Sequence, residues 1–473
     1  MTQSEDKPIH MSPEEFRAAG YAAIDWLVDY LKEIEERPIT SDVKPGGIRS
    51  ALPEHAPETG ESFQELLADM DSIIAPGITQ WQHPGFYGYF PANSSPPAVL
   101  GDLLSTGLGV NGMLWATSPA ATELETHVLD WLVELCGIPK RFHSSGPGGG
   151  VIQDSASSAT LCAILAARHR VNRPDEITKL RAYVSNQAHS SAEKGLLVAG
   201  ITRQNIRLID TDETFSMCPE SLEKAIKEDS EAGYTPFFVM TTVGTTSSGA
   251  VDNVEEIAKI ATQFGAWIHV DAAWAGSATI CPEFRGILNG LELADSYAFN
   301  PHKWMLTNFD CSAFFVADAQ PLNETLSIVP EYLRNSASEA GEVIDYRDWQ
   351  VPLGRRFRAL KLWFVLRSYG AEGIRTYIRS HVQAAEWFTE QIRNHPKLEL
   401  SVEPTLSLVC FQHVDGDKAS EQLLTSLNGT KKVLLTHTRL NDNYVLRVAI
   451  GSTYTTFEHV EALMQLINDK VQN

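Results

Sequence analysis

A single lysine, Lys303, is followed by three apolar residues in the stretch NPHKWMLTNF at residues 300–309. Lysine is almost never fully buried unless its charge is paired or removed, and burial alone lowers its pKa. Two interpretations of Lys303 follow. Its stem lies on apolar surface while the ammonium stays in water, or its amine forms an imine with an aldehyde and so loses the ammonium charge. Residues elsewhere in the chain must separate the two.

Three other polar groups stand where an α/β sheet would place a ligand. Asp271 directly follows WIHV, His189 follows AYVS, and Ser155, Ala156 and Ser157 precede a helix of small residues. Ligands bind beyond the carboxyl ends of strands in open α/β sheets, and a helix N-terminus attracts anions. Each group alone has a simpler explanation as a turn, a hydrogen bond or a helix cap. Together with a Schiff-base lysine they are the parts that bind pyridoxal phosphate.

Other catalytic signatures are missing from the sequence. It contains no G-x-S-x-G elbow, no Walker loop and no H-E-x-x-H metal motif, and GPGGG at 146–150 lacks the third glycine of a dinucleotide fingerprint in the right place. A protein-bound metal is therefore not expected.

The charge balance excludes several classes of partner. Thirty-eight basic and sixty acidic residues leave a formal charge of −22, which repels nucleic acids and anionic membranes at long range. The N-terminus is polar and acidic, unlike a secretory signal, and no stretch is long and apolar enough to span a membrane. The six cysteines are scattered and include no C-x-x-C pair. We expect a cytoplasmic protein that acts on a small molecule.

Alternating apolar runs and helical stretches predict an α/β domain. The runs FFVMTTV at 237–243, WIHVDAA at 267–273 and CSAFFVA at 311–317 indicate strands of a mostly parallel, buried sheet. Later runs, LELSV, LSLVCF and YVLRVAI, flanked by helical stretches, indicate a smaller α+β domain. The predicted fold class is thus α/β with a small C-terminal α+β domain.

The chain begins with a predicted helical arm. Ser12 and Glu15 form a capping box ahead of an apolar helical stripe, and a second amphipathic helix follows a linker rich in proline, glycine and charge. Neither helix has a domain of its own. We expect residues 1–85 to pack on a partner subunit, 86–375 to form the large domain and 376–473 the small domain.

The motifs also occur in a recognisable order: HSSAEK, GTT at 244–246, HVDAAWAGSA, NPHKW and PLGRRFR. In this order the chain resembles the aromatic-L-amino-acid decarboxylases, group II pyridoxal-phosphate-dependent decarboxylases of fold type I. The resemblance implies Lys303 as the imine-forming lysine, Asp271 as the partner of the pyridine nitrogen, and His189 on the ring face beside Thr246. It implies that the phosphate is held by Ala156, Ser157, Asn300 and His302.

The resemblance also indicates the reaction. The segment 327–350 matches a loop that closes over the substrate, and Tyr332 within it is the residue expected to deliver a proton to Cα. Relatives with phenylalanine at this position form aldehydes. Family positions that line an aromatic pocket correspond to Trp81, Tyr89, Phe90, Met113, Phe309 and Gly354. Relatives often have phenylalanine in place of Met113, and either glycine or serine in place of Gly354, where glycine leaves room for an indole.

Four arginines lie in or near these motifs. Arg355, Arg356 and Arg358 in PLGRRFR have the spacing of a solvated or ion-paired helix face, which we prefer to a clamp for the substrate carboxylate. Arg447, on the strand-like YVLRVAI, is left as a candidate without a role.

The sequence as a whole predicts a homodimer with its active site at the interface. It would convert aromatic L-amino acids, meaning tryptophan, 5-hydroxytryptophan, dopa, tyrosine and phenylalanine, to amines and carbon dioxide with pyridoxal 5'-phosphate. One alternative is an aldehyde synthase on the same scaffold, which couples decarboxylation to oxidative deamination. Another is a protein that binds the cofactor without catalysis.

Overall fold

A computed structural model of the chain describes residues 10–90, 92–328 and 343–472. Its helices are α1 Pro13–Lys32, α2 Gly47–Ala51, α3 Phe63–Asp69, α4 Pro96–Leu108, α5 Pro119–Cys136, α6 Ala156–Val171, α7 Ser191–Val198, α8 Pro219–Glu231, α9 Val254–Gln263, α10 Pro301–Trp304, α11 Gln320–Leu326, α12 Ala359–Arg393, α13 Asp417–Asn428 and α14 Phe457–Gln472. Its strands are β1 Gly149–Gln153, β2 Leu180–Ser185, β3 Ile206–Ile209, β4 Thr235–Thr242, β5 Trp267–Asp271, β6 Ser296–Phe299, β7 Ser312–Val316, β8 Leu398–Leu400, β9 Leu408–His413, β10 Thr436–Leu440 and β11 Asn443–Ala449.

The arm begins with the capping box that the sequence predicts. The Ser12 hydroxyl accepts a hydrogen bond from the Glu15 N–H at 3.2 Å, and the Glu15 carboxylate accepts one from the Ser12 N–H at 2.8 Å. These bonds satisfy two N–H groups that the first turn of α1 would otherwise leave unpaired. No residue of α1 is buried in the single chain, and about two thirds of Phe16 and Tyr21 is exposed. The apolar stripe of α1 therefore lacks a partner within one chain.

The large domain is built on a seven-stranded sheet in the order β1-β7-β6-β5-β4-β2-β3. The strands from β6 through β5, β4 and β2 to β3 are parallel, while β7 runs antiparallel to both β6 and β1. The expectation of a mostly parallel sheet is confirmed, with the strand in CSAFFVA as one of the antiparallel members. Because β4, β5 and β6 are parallel, their carboxyl ends meet at one edge of the sheet.

Apolar strands and a small-residue helix pack the centre of this domain. Every residue of β5 and β7 is buried, as expected of a sheet covered on both faces. Alanines along α6, at positions 159, 163, 166 and 167, are wholly buried in the cluster that also contains Phe238 and Phe314. Their small side chains let α6 approach the sheet closely, which places its N-terminus near the strand ends.

The small domain has an antiparallel sheet in the order β10-β11-β9-β8. Helix α13 and the second half of α12 pack against it, and α14 packs on both of these helices. Strand β10 was not predicted from the sequence. Helix α12 runs across the predicted boundary at residue 376 and is interrupted at Gly370, whose φ of +64° is favoured by glycine. The predicted domain limits stay predictions.

Within the described parts of the chain, no helix is long and apolar enough to cross a bilayer. The same residues contain no group of three or more histidine, cysteine, aspartate or glutamate side chains arranged to hold a metal ion.

Candidate active site

Lys303 lies on a four-residue helix, α10, directly after the carboxyl end of β6. Its N–H bonds to the Asn300 carbonyl at 2.9 Å, and Pro301 occupies the first helical position, where its fixed φ suits the turn. His302 and Trp304 are buried on either side, while Lys303 itself is partly buried. Burial lowers the pKa of the Lys303 amine, and the nearby Asp271 carboxylate partly opposes this shift. The lysine therefore does not simply extend into water.

Asp271 is the last residue of β5, at the same edge of the sheet. Only 4% of it is exposed, and its Oδ1 accepts a hydrogen bond from the Ala273 N–H at 3.0 Å. Burial raises the pKa of Asp271, while the charges of Lys303 and His189 act in the opposite direction. The structure thus brings three predicted site residues into one electrostatic neighbourhood. A buried carboxylate here suits a cationic group such as a protonated pyridine nitrogen.

His189 follows β2 and is held by its own turn. Its Nδ1 accepts a hydrogen bond from the Ser191 N–H at 3.2 Å and lies 2.8 Å from the Ser191 hydroxyl. An Nδ1 that accepts an N–H places the proton of the neutral ring on Nε2. Burial lowers the pKa of His189, and Lys303 adds to this effect. The side chain is therefore a neutral, flat ring with a fixed tautomer, suited to cover the face of a planar cofactor.

The predicted phosphate site combines a helix N-terminus with the Lys303 turn. At the start of α6, the Ser155 hydroxyl caps the Ser158 N–H at 3.2 Å, which leaves the N–H groups of Ala156 and Ser157 for an anion. His302 Nδ1 accepts the Cys311 N–H at 2.9 Å, so its Nε2 carries the proton. Burial lowers the pKa of His302 to about 3, which keeps it a neutral donor.

Asn300 provides a direct sign that a ligand fits here. It is 2% exposed, and its Oδ1 has no hydrogen-bond partner among the described residues. A buried polar atom without a partner is uncommon and calls for an explanation such as an absent ligand. The Nδ2 donor of the same amide suits a phosphate oxygen. Together with Lys303 and Asp271, the residues present fit the phosphate, aldehyde and ring nitrogen of pyridoxal phosphate.

Thr246 lies on the loop after β4. Hydrogen bonds to the main chain of this loop hold it in place. The Gly244 carbonyl accepts a hydrogen bond from Trp274 Nε1 at 2.7 Å. Gly244 has a φ of +82°, and an added Cβ would lie 2.7 Å from the Ala275 side chain, so only glycine fits. On the other side, a buried Arg447 nitrogen donates to the Thr246 carbonyl at 2.5 Å. Arg447 therefore holds main chain beside the candidate site.

The predicted pocket residues fall into separate groups within one chain. Trp81 stacks on Tyr89 with ring centres 5.7 Å apart, and both are half-exposed. Phe90 instead stacks on Trp274 at 3.9 Å, and the exposed Phe309 ring lies 4.7 Å from His302. Met113 and Gly354 lie on adjacent segments, because the Gly112 N–H bonds to the Arg355 carbonyl at 3.0 Å. Both segments border the described end of the segment 327–350.

The expectation for the PLGRRFR arginines is correct about ion pairs and wrong about the helix face. All three precede α12. Arg355 is buried and bonds to buried Glu125 at 2.6 Å, which also accepts the Ile152 N–H. Arg356 and Arg358 pair with Asp102 and Asp310 respectively. A distant glutamate therefore neutralises Arg355 in the interior, which the local pattern does not reveal.

Tyr332 lies outside the described residues, so its predicted role stays a prediction. Sequence reasoning also missed two buried residues beside the Lys303 turn, Asn93 and His381. Neither has a local signal, since each reaches the turn from a different part of the chain.

Comparison with known proteins identifies the family of this chain. Residues 45–414 match the pyridoxal-dependent decarboxylase conserved domain, and the chain belongs to that family. Its cofactor is pyridoxal phosphate. Aromatic-L-amino-acid decarboxylase of Rattus norvegicus is 46% identical over 97% of this chain and 98% of the relative, so the resemblance to that group is confirmed.

Other relatives are named for different activities. Phenylacetaldehyde synthase of Arabidopsis thaliana is also 46% identical, over 97% of this chain and 96% of its own. The crystal structure of Oryza sativa TDC with PLP and tryptamine superposes with a TM-score of 0.96 at 39% identity, covering 98% of this chain and 99% of that one. Family membership therefore establishes a carboxy-lyase of the aromatic amino acid group without choosing a substrate or product.

Proposed function

We propose that this protein removes carbon dioxide from aromatic L-amino acids and releases the corresponding amines. The candidate substrates are tryptophan, 5-hydroxytryptophan, dopa, tyrosine and phenylalanine. The observation that supports this proposal is the joint placement of Lys303, Asp271 and His189 at one edge of the sheet, where each affects the pKa of another. Such mutual perturbation in a buried site is typical of catalytic groups.

Each residue of the candidate site has a separate role. Pyridoxal phosphate supplies an electron sink for the electrons left at the substrate Cα when carbon dioxide departs. The Asp271 carboxylate stabilises a proton on the ring nitrogen, which makes that sink effective. The Lys303 amine would hold the cofactor aldehyde and would be the group available to release the product. His189 covers the ring with a neutral imidazole.

Among the described residues, neutral groups would hold the phosphate end. The N–H groups of Ala156 and Ser157 at the α6 N-terminus, the Asn300 amide and the His302 Nε2–H supply neutral donors. A dianion at a helix N-terminus is favoured by the free N–H groups and the helix dipole. Fixing this end orients the ring, so that Asp271 and Lys303 meet the correct atoms.

Tyr332 favours the amine over the aldehyde as product. A phenol that reached Cα would protonate it before oxygen could react there, because the proton transfer needs only a short contact in a water-poor site. Sequence identity to relatives does not distinguish amine from aldehyde as the product, because an aldehyde synthase and a decarboxylase are equally identical to this chain. The choice of amine therefore depends on this one side chain.

We infer further that two chains form a dimer with the site at their interface. The α1 stripe is unburied, and Leu100, Leu103, Leu104 and Leu108 of α4 are each about half exposed or more. Apolar surface of this extent commonly marks a protein interface. We expect the dimer in the cytoplasm.

The test is a competition assay with the five amino acids and the purified holoenzyme. Carbon dioxide, amine and aldehyde are measured together, in air and under nitrogen. Amine equal to carbon dioxide supports the proposal, whereas aldehyde with peroxide in air identifies an aldehyde synthase. Visible absorbance without any carbon dioxide would identify a cofactor binder without catalysis.

The Tyr332→Phe variant tests the proton donor in the same assay. Phenylalanine keeps the shape of the side chain and removes its proton, so we expect carbon dioxide release to continue while aldehyde replaces amine in air. If the variant gives mainly amine at a near wild-type rate in air, another group, with His189 first in line, delivers the proton.

A further inference from the structure

Asn93 binds the Lys303 turn on both sides of the lysine. The Asn93 N–H donates to the His302 carbonyl at 2.7 Å, and its Oδ1 accepts the Leu306 N–H at 3.0 Å. Asn93 is 1% exposed. It therefore satisfies the backbone of the residue before Lys303 and of the third residue after it, from a segment more than two hundred positions away in sequence.

The same asparagine also binds the small domain. Its Nδ2 donates to the Gly451 carbonyl at 2.9 Å, just beyond β11. The Tyr377 hydroxyl lies 3.2 Å from Asn93 Oδ1 and 3.0 Å from the Gly451 carbonyl, so it can donate to either. A buried amide with both ends satisfied is fixed in orientation. Asn93 thus joins the Lys303 turn to the chain that leaves β11.

His381 makes a second connection, through the residue next to Lys303. Trp304 Nε1 donates to His381 Nδ1 at 3.0 Å, and His381 Nε2 lies 3.2 Å from the Thr455 carbonyl. Burial lowers the pKa of His381 to about 4, so the ring is neutral, accepts at Nδ1 and donates from Nε2. The Thr455 hydroxyl then bonds to the Pro84 carbonyl at 2.7 Å.

Both connections end on one short segment, residues 451–455 between β11 and α14. Trp304 also packs 5.7 Å from Trp274, which follows Asp271 by three residues, so the lysine and aspartate turns share this support. Apolar residues of similar volume would fill the space without the desolvation that a buried imidazole and amide must overcome. The hydrogen bonds of Asn93 and His381 therefore indicate that the Lys303 turn must be held in one orientation, which apolar packing alone would not fix.

We propose that Asn93 and His381 are positioning residues that hold the Lys303 turn to the 451–455 segment, and so keep the lysine amine in reach of the cofactor aldehyde. This deepens the proposed function and rests on the role it gives Lys303. Neither residue touches the reacting atoms. Loosening the turn should weaken cofactor retention and lower kcat, while KM for the amino acid changes little.

The experiment compares three variants of the full chain. His381→Phe keeps a flat ring and removes both hydrogen bonds, whereas His381→Gln keeps an acceptor and a donor. Asn93→Ala removes the side-chain bonds and leaves the N–H bond to His302. The dissociation constant for pyridoxal phosphate is measured by titrating the apoprotein, followed by kcat, KM and Tm. We expect about tenfold weaker binding for His381→Phe and Asn93→Ala, and recovery to within threefold of wild type for His381→Gln.

A matched control separates positioning from general stability. His413 is another buried histidine, on β9, whose Nδ1 accepts the Asp415 N–H at 3.1 Å. His413→Phe should lower Tm and leave cofactor affinity unchanged. Equal loss of affinity in His413→Phe and His381→Phe, or no recovery in His381→Gln, would overturn the proposal. If His381→Phe does not fold, Asn93→Ala and His381→Gln still decide it, because wild-type affinity in Asn93→Ala refutes it.

Cofactor affinity does not depend on turnover. A wild-type chain that binds pyridoxal phosphate and releases no carbon dioxide would refute the proposed function, while the affinity comparison would still test these two residues.

Discussion

Replacing Asp271 with asparagine isolates the charge of the carboxylate from its shape. Asparagine has almost the same volume, and its Oδ1 can still accept the Ala273 N–H that Asp271 accepts at 3.0 Å. The side chain is 4% exposed, so solvent does not replace what is lost. The variant should therefore fold normally and lack only the negative charge beside the cofactor ring.

The size of the effect follows from burial. Removing one partner of a buried ion pair costs about 3–5 kcal/mol, because the other charge is left uncompensated. If all of this enters the barrier for loss of carbon dioxide, the rate falls by about two to four powers of ten. Asp271 also raises the pKa of Lys303, so its loss should lower that pKa further.

The assay is single-turnover release of carbon dioxide from cofactor-saturated enzyme, with cofactor affinity measured in parallel. Asp229→Asn is the matched control, because Asp229 is also 4% exposed but lies on α8 and pairs with Arg207 at 3.2 Å. The control should lose stability and keep its rate. An Asp271→Asn rate within threefold of wild type would show that the carboxylate does not stabilise the charged ring.

Three further outcomes are expected. Lys303→Ala should abolish multiple turnover, because no amine remains to hold the cofactor or displace the product; full steady-state activity would disprove this. Gly354→Ser should reduce kcat/KM on tryptophan more than on tyrosine through contact with the larger ring; among the described residues an added Cβ meets only Asn111, at 3.9 Å, so the fold tolerates it. Equal losses on the two substrates would contradict this. Burial lowers the pKa of His269 to about 3. Between pH 6.5 and pH 3, His269 therefore takes up a proton in the unfolded state and not in the folded state. As the pH decreases through this range, the unfolding free energy falls by about 1.4 kcal/mol per pH unit. His269→Gln should reduce that slope by this amount in denaturant titrations at several pH values, and an unchanged slope would exclude the assignment.

Features set by neighbouring residues could be predicted from the sequence. The capping box of α1, the strand that ends at Asp271 and the turn that carries Lys303 depend on a few adjacent positions, so local pattern is sufficient for them. The prediction of the site's chemistry started from a lysine followed by apolar residues and an aspartate after an apolar strand, both of which are unusual locally. The mostly parallel sheet followed from alternating strands and helices.

Features that depend on long-range contact could not be predicted in this way. Arg355 has the local pattern of a surface residue, yet Glu125, 230 positions away, neutralises it in the interior. Asn93 bonds to Leu306 across 213 positions, and Trp304 to His381 across 77. Only the folded chain brings these pairs together, so one sequence carries no signal for them.

The close packing of Trp274 and Trp304 has a spectroscopic consequence. Their rings lie 5.7 Å apart, and each is close in sequence to a residue that contacts the cofactor in the proposed site. Pyridoxal phosphate absorbs where indole emits, so energy absorbed by this pair should pass to a bound cofactor and the protein's own fluorescence should dim as the site fills. The enzyme therefore carries an internal optical reporter of cofactor occupancy, readable without a label and without substrate.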